Sequence, residues 1–265
     1  LIRLQYTLLT AAAVISLAVE GRPSLLLLFA FVVGASTALL IFMAVKKPEK
    51  DWYSCRALAE SIKTSTWRYT MRAAPFEDAE NLHDCRGKFA SFLKEILDAN
   101  SHVRESISRR PNAGEQITGK MDEIRALPLK ERVDLYLNQR VQEQRDWYIK
   151  KVKSNRRNFV GWVVFCVCVQ GGAIALALLR SNQPDMLQIW PSEPFLVLAS
   201  AALGWIQIKK FNELASAYSL TAHEIGIIQT RLKAIDGETD FSEFVNEAER
   251  AFSREHTQWV ARQDD

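Results

Sequence analysis

Apolar runs without charge alternate along this chain with amphipathic stretches whose hydrophobic positions recur every three or four residues. The longest run, SLLLLFAFVVGASTALLIFMAV at 24–45, holds 22 uncharged positions. At about 1.5 Å per residue these make about 33 Å of helix, enough to cross a bilayer core. FVGWVVFCVCVQGGAIALALL at 159–179 is a second run of similar length. Two shorter runs, LQYTLLTAAAVISLAV at 4–19 and FLVLASAALGWIQI at 195–208, accompany them. The pattern predicts four membrane spans arranged as two helical hairpins. Pro191 and Pro194 suit the entrance of the last span better than its middle. A signal peptide is the competing reading of 1–19. Only Glu20, Gly21, Arg22 and Pro23 separate that run from the next, however, as in a tight hairpin. Because the chain starts at Leu1 rather than Met, its true amino terminus is expected to be missing and the first span cut short.

The polar segments also read as helices. In 51–72, Trp52, Cys55, Ala59, Ile62 and Tyr69 fall near one face at helical spacing, and in 78–98 Leu82, Cys85, Phe89, Leu93 and Ile96 do the same. Pro75 separates these two helices. SHVRESISRRPNAGEQ at 101–116 has the composition of a linker, and ITGKMDEIRA at 117–126 of a short helix. Pro128 then opens a long helix in which Leu129, Val133, Tyr136, Val141, Tyr148 and Val152 share a stripe, with no Gly or Pro before the third span. After the fourth span, 211–235 and 240–262 form two more amphipathic helices, and no convincing strand remains. The fold class is therefore an all-α membrane protein: two transmembrane hairpins, four spans in all, with a helical cytoplasmic bundle.

Charge sets the expected orientation. Lys46, Lys47 and Lys50 follow the second span, Lys150, Lys151, Lys153, Arg156 and Arg157 precede the third, and Lys209 and Lys210 follow the fourth. With four spans all three clusters lie on one side, which the positive-inside rule makes cytoplasmic, together with 46–158 and the tail. A formal net charge of +3 with 25% charged residues is too mild to point to nucleic acid. Cys55, Cys85, Cys166 and Cys168 show no CxxC spacing or disulfide framework and read as small apolar fillers. His83, His102, His223 and His256 are scattered without metal-ligand spacing, so no metal and no cofactor is expected.

No phosphate-binding loop, dinucleotide fingerprint or HExxH motif occurs. The strings Ser-Arg-Glu-His at 253–256 and Thr-Ala-His-Glu at 221–224 read as solvated helix faces, and the chain is not expected to be an enzyme. Trp52, Tyr53, Trp147 and Tyr148 lie near predicted span ends, where such rings favour the interface, whereas Trp67 and Tyr69 are too far along the helix and are expected to pack among cytoplasmic helices. Within the spans, Ser36, Thr37 and Gln170 are the candidate interhelical or pore-lining polar residues. Gln170 is the most informative, because an unpaired amide in hydrocarbon must find a partner or water.

YSCRALAESIKTSTWRYTMRAAPF at 53–76, placed after a hairpin, resembles the SLATT family, the two-helix membrane effector domains found beside nucleotide-generating and nucleotide-sensing genes in bacterial conflict systems. The second half is similar to another subtype, through PLKERVDLYLNQRVQEQRDWYIKKVKSNRRN, FNELASAYSLTAHEIGIIQTRL and FVNEAERAFSREHTQWVAR. The implied tandem units are 1–105 (hairpin 4–45, helices 51–98) and 128–265 (long helix 129–158, hairpin 159–208, helices 211–262), joined by 106–127. From the resemblance, a segment is expected before the first hairpin, and this sequence departs from the family pattern there.

The resemblance implies a multi-pass bacterial inner-membrane protein that oligomerises and forms a pore or disrupts the membrane in antiviral defence by abortive infection, when a nucleotide second messenger or a nucleotide-sensing partner triggers it. It supplies no catalytic residues. Its motif positions here are Trp52, Tyr53, Arg56, Glu60, Lys63, Trp67, Arg68 and Tyr69, then Gln144, Trp147, Tyr148, Lys151, Glu249, Arg254, Glu255, His256 and Trp259. The alternative is a membrane-anchored scaffold or sensor in which Arg56, Lys63, Arg68 and Arg72 bind an anionic nucleotide or a partner protein. Those four residues could equally pair with Glu60, Asp78 and Glu80 in ordinary salt bridges. A lipid-directed enzyme using His223 and His256 is a third possibility, with nothing more behind it than acidic neighbours.

Overall fold

A computed structural model describes residues 1–77, 82–99, 114–187, 190–232 and 235–261; the side chains at 48–51, 53, 232 and 254–261 lie outside that description. Every regular element among the described residues is helical. These are α1 (Ile2–Ser16), α2 (Pro23–Lys46), α3 (Pro48–Thr70), α4 (Leu82–Ala99), α5 (Gly119–Ala126), α6 (Leu129–Tyr136), a π-helical segment (Leu137–Val141), α7 (Gln142–Asn182), a 3₁₀ turn (Pro184–Met186), α8 (Ser192–Lys209), α9 (Phe211–Leu232) and α10 (Glu238–Ala261). The linker expected at 101–116 falls almost wholly outside the described residues. The helix expected from Pro128 into the third span is continuous from Leu129 to Asn182, with the π segment inside it.

The chain divides into two compact units that cut across its sequence halves. One comprises Leu1–Lys47 and Ile149–Ser219, the other Pro48–Tyr148 and Leu220–Asp265. The first unit holds the apolar helices. Of the four spans expected, two meet the length and hydropathy that a membrane crossing needs: Pro23–Lys46 and the apolar part of Leu129–Asn182. The other two fall short of that measure for a physical reason. Helix α1 has 15 residues, about 22 Å against a hydrocarbon core of about 30 Å. Helix α8 has 18 residues, but Ser192, Glu193 and Pro194 at its start and Gln207 and Lys209 at its end dilute its apolar content.

Helix α1 packs against both α2 and α8. Gln5 on α1 donates to the Ser36 hydroxyl on α2 at 2.8 Å. Gly204 on α8 lets Tyr6 approach so closely that a Cβ there would sit 2.5 Å from the Tyr6 hydroxyl. Gly172 on α7 does the same for Phe195 on α8, whose ring would lie 2.9 Å from a Cβ. Small residues thus set the helix spacing, as expected where lipid supplies no hydrophobic drive for association. Helices α2 and α8 each end in a left-handed lysine, Lys47 (φ 40°) and Lys210 (φ 47°), whose amide closes on Met43 and Ile206 respectively at 3.0 Å.

The second unit has an ordinary aromatic core. Tyr69, Phe76, Cys85, Phe89 and Leu93 are buried together, with Ile62, Phe92, Ile117 and Met121 around them. The Tyr69 and Phe89 rings stack at 4.7 Å, and Phe76 meets Phe89 edge-on at 5.2 Å. Amphipathic α3 and α4 supply most of these faces at the three-and-four spacing read from the sequence, and Met121 adds the contribution of α5.

Candidate functional site

The second unit buries three arginines completely or nearly so: Arg125 (3% exposed), Arg132 (0%) and Arg140 (0%). A guanidinium never sheds its charge in a protein, so each must be met by acceptors. Arg125 donates to the Tyr69 carbonyl and, at 3.4 Å, to the Cys85 sulfur, and it lies 5.0 Å from the Tyr69 ring centroid. Arg132 donates to the carbonyls of Leu127 at 3.0 Å and Met71 at 2.9 Å and pairs with Glu238. Arg140 meets a buried carboxylate. Its Nε and Nη2 reach the two oxygens of Glu249 at 2.8 and 2.6 Å, and Glu249 is itself fully buried. Tyr136 donates a third bond to Glu249 at 2.9 Å, and Phe252 faces the Arg140 guanidinium at 5.1 Å.

Arg132, Tyr136 and Arg140 recur every four residues, so one helix stripe presents all three to α10. The stripe ends in the π segment, where the Gln142 amide reaches back five residues to the Leu137 carbonyl. Such widened turns concentrate at functional sites, because one extra residue in the turn costs ladder regularity. Here the widened turn carries the buried ion pair, in the same continuous helix that bears the apolar run.

Electrostatics reinforce the cluster. Burial disfavours the charged form of Arg140, but the hydrogen bonds and attraction of Glu249 outweigh it and raise its pKa. Burial, then the negative charge of Glu249, pushes the Tyr136 hydroxyl well above its ordinary value. Tyr69 is pushed up to about 12 by burial and by its 2.8 Å bond to Asp122, a carboxylate that Arg86 also binds. Burial lowers the pKa of Arg68, with Glu249 partly offsetting it.

The four cations singled out in the sequence do not converge on one cavity. Arg56 lies over the Trp52 ring at 5.5 Å, and Lys63 is half-buried on α3. Arg68 donates to the Asn246 carbonyl at 3.5 Å, and Arg72, at a left-handed φ of 56°, donates to the Arg125 carbonyl at 2.7 Å. Asp78 and Glu80, their suggested salt-bridge partners, lie outside the described residues. Trp67 meets Tyr136 edge-on at 5.7 Å, so both Trp67 and Tyr69 belong to the helical core. Trp52 is exposed, Tyr148 is buried, and the side chains of Tyr53, Arg254, Glu255, His256 and Trp259 are outside the description. No group of three or more His, Cys, Asp or Glu among the described residues could hold a metal ion.

The span residues separate in the same way. Ser36 is buried and accepts from Gln5. Thr37 turns back to the Val33 carbonyl at 3.0 Å. Gln170 is exposed, with Val163, Val167 and Ile174 exposed on the same helix face. It stands eleven residues after Phe159 and nine before Leu179, about 16 and 14 Å from the ends of the apolar run. Gly171 beside it is open, with nothing within 4 Å of where a Cβ would lie.

Gln5, Arg132 and Arg140 were not singled out by sequence. The signal was present in the four-residue spacing of Arg132, Tyr136 and Arg140 along an otherwise apolar stripe. The family model described as SMODS and SLOG-associating 2TM effector domain 3 matches residues 1–133, and that of SMODS and SLOG-associating 2TM effector domain 1 matches residues 136–259. No curated protein and no solved structure matches the chain.

Proposed function

Since this chain belongs to the SLATT family and carries two of its two-transmembrane effector domains in tandem, we propose that it is a bacterial membrane effector that assembles through its exposed span faces and opens the bilayer when triggered. Family membership and two long apolar helices make it a membrane protein. In the proposed arrangement α1 and α8 complete two hairpins beside the full-length spans, in the inner membrane. The second unit then faces the cytoplasm, on the side of the three lysine and arginine clusters.

The observation that carries the proposal is Gln170, an amide near the middle of an apolar helix and exposed on the surface of the single chain. In hydrocarbon such a group costs free energy until it is hydrogen-bonded. Identical copies satisfy one another, because each amide offers both donor and acceptor. The faces of α2 and α7 that remain exposed, including Phe31, Val45, Val167 and Ile174, supply the apolar area around it.

The second unit acts as the restraint. Its buried Arg140–Glu249 pair fixes the helix that also carries the span, so a nucleotide or a nucleotide-sensing partner protein that loosens this core would release the membrane helices. The scaffold or ligand-sensor alternative needs cations that are available to a ligand, whereas Arg68 and Arg72 already donate to backbone carbonyls. Calorimetry with cyclic oligonucleotides separates the two: binding without any loss of membrane integrity favours the sensor. The effector reading is tested by membrane depolarisation on induced expression. Cells that stay polarised at every expression level, both with the unsubstituted chain and with Glu249→Ala, which breaks the restraint, would overturn it.

A further inference from the structure

A groove of about 880 Å³ runs along α1 between α7 and α8, bordered by Ala11, Val14, Ile15, Phe165, Leu198 and Ala201 over most of its length. Two threonines in its wall, Thr7 and Thr10, turn their hydroxyls back onto the carbonyls of Arg3 and Tyr6 at 2.9 and 2.8 Å, so they present methyl groups to the groove. One end is different. There the Arg3 guanidinium lies 5.1 Å from the centroid of the Trp205 ring, and, outside the groove's own lining, the Lys209 ammonium lies 5.0 Å from the same ring. Neither cation has a carboxylate partner among the described residues. Trp162 approaches Trp205 at 6.3 Å, which places two indoles at this end, the preferred residues of a membrane–water boundary.

We propose that this groove binds one anionic phospholipid, its phosphate held by Arg3 and Lys209 and an acyl chain lying along α1. The inference rests on the reading of this unit as membrane-embedded. From Arg3 to Ile15 the groove follows twelve residues of helix, about 18 Å, which is close to the depth of one leaflet of a core about 30 Å thick. A protein helix is a poorer occupant. At about 10 Å across and the same length it would displace about 1,400 Å³, more than the groove holds. Charge selects among lipids: two cations at the boundary attract an anionic headgroup and repel the ammonium of a zwitterionic one.

The test is native mass spectrometry of the full chain released from vesicles of equal phosphatidylglycerol and phosphatidylcholine. The expected result is retained phosphatidylglycerol in about tenfold preference. Arg3→Gln with Lys209→Gln brings the preference to about one while lipid is still retained. Ala201→Trp fills the apolar part and removes retention of both lipids, and far-UV circular dichroism checks that each variant keeps its helices. Added glycerol phosphate does not compete, since the acyl chain supplies much of the binding. Equal retention of the two lipids by the unsubstituted chain overturns the proposal, as does an unchanged preference in the charge variant. Dye release is read in parallel with the unsubstituted chain and with Glu249→Ala, which breaks the restraint: lipid retention with both vesicle sets sealed leaves this site standing and removes the effector reading, and leakage without retention does the reverse.

Discussion

Arg140 and Glu249 lie 109 residues apart in the chain and join through two hydrogen bonds of 2.8 and 2.6 Å, with neither side chain exposed. Desolvating both charges offsets much of their attraction, so the pair adds little net stability, but breaking it leaves a buried charge alone. Glu249→Ala is expected to cost about 3–5 kcal/mol. The double variant Arg140→Met with Glu249→Leu, which removes both charges and keeps most of the volume, recovers most of that loss. Urea unfolding of the detergent-solubilised chain, followed by the fluorescence of Trp67 next to Tyr136, measures both.

Alkaline pH should loosen the same unit. Tyr69 is raised to about 12 and Tyr136 well above its ordinary value, against about 10 in the unfolded chain. A raised folded pKa means that the neutral phenol is the form the fold favours. That contribution is fully present below about pH 10 and is lost as pH rises through about 12. Thermal melts across this window should shift downward. Tyr69→Phe flattens the part of the slope that belongs to Tyr69, while forfeiting its bond to Asp122, worth about 1 kcal/mol.

Gly204 holds α1 and α8 at their spacing. A methyl group there meets the Tyr6 hydroxyl at 2.5 Å, so Gly204→Ala is expected to cost about 1–3 kcal/mol through overpacking. Adding Tyr6→Phe removes the clashing oxygen and restores most of the melting temperature. Additive losses in the double variant would show that the two residues do not share this contact.

Gln170 is predicted to matter for association and not for the folding of one chain. Gln170→Leu should weaken self-association in lipid by about tenfold, from loss of an interhelical bond worth about 1–2 kcal/mol. Gln170→Asn should retain much of it. Photobleaching step counts in supported bilayers read the subunit number, and an unchanged count in the leucine variant would contradict the assignment.

Much of the helical architecture was legible because periodicity reports which face of a helix is buried. The apolar stripe from Leu129 ran unbroken into the third span, and the helix from Leu129 to Asn182 follows it. Span number was less legible. Uncharged length alone admitted 4–19 and 195–208, while helix ends, set by local caps and polar residues such as Glu193 and Lys209, decide how much apolar length remains. The buried arginines were hidden for another reason. A charge in a sequence is read as solvated unless its counter-charge is known, and Glu249 meets Arg140 only through tertiary packing. Periodicity likewise singled out Gln170 as a polar residue in a span, but not which way it faced. That depends on α8 covering one side of α7 near Gly172.

The most direct measurement is dye release from vesicles reconstituted with the unsubstituted chain and with Glu249→Ala, over a range of protein-to-lipid ratios. A membrane effector restrained by its buried ion pair predicts release that rises more steeply than linearly with protein density, and that begins at lower density in the Glu249→Ala variant. Vesicles that stay sealed with both proteins at every ratio would contradict it.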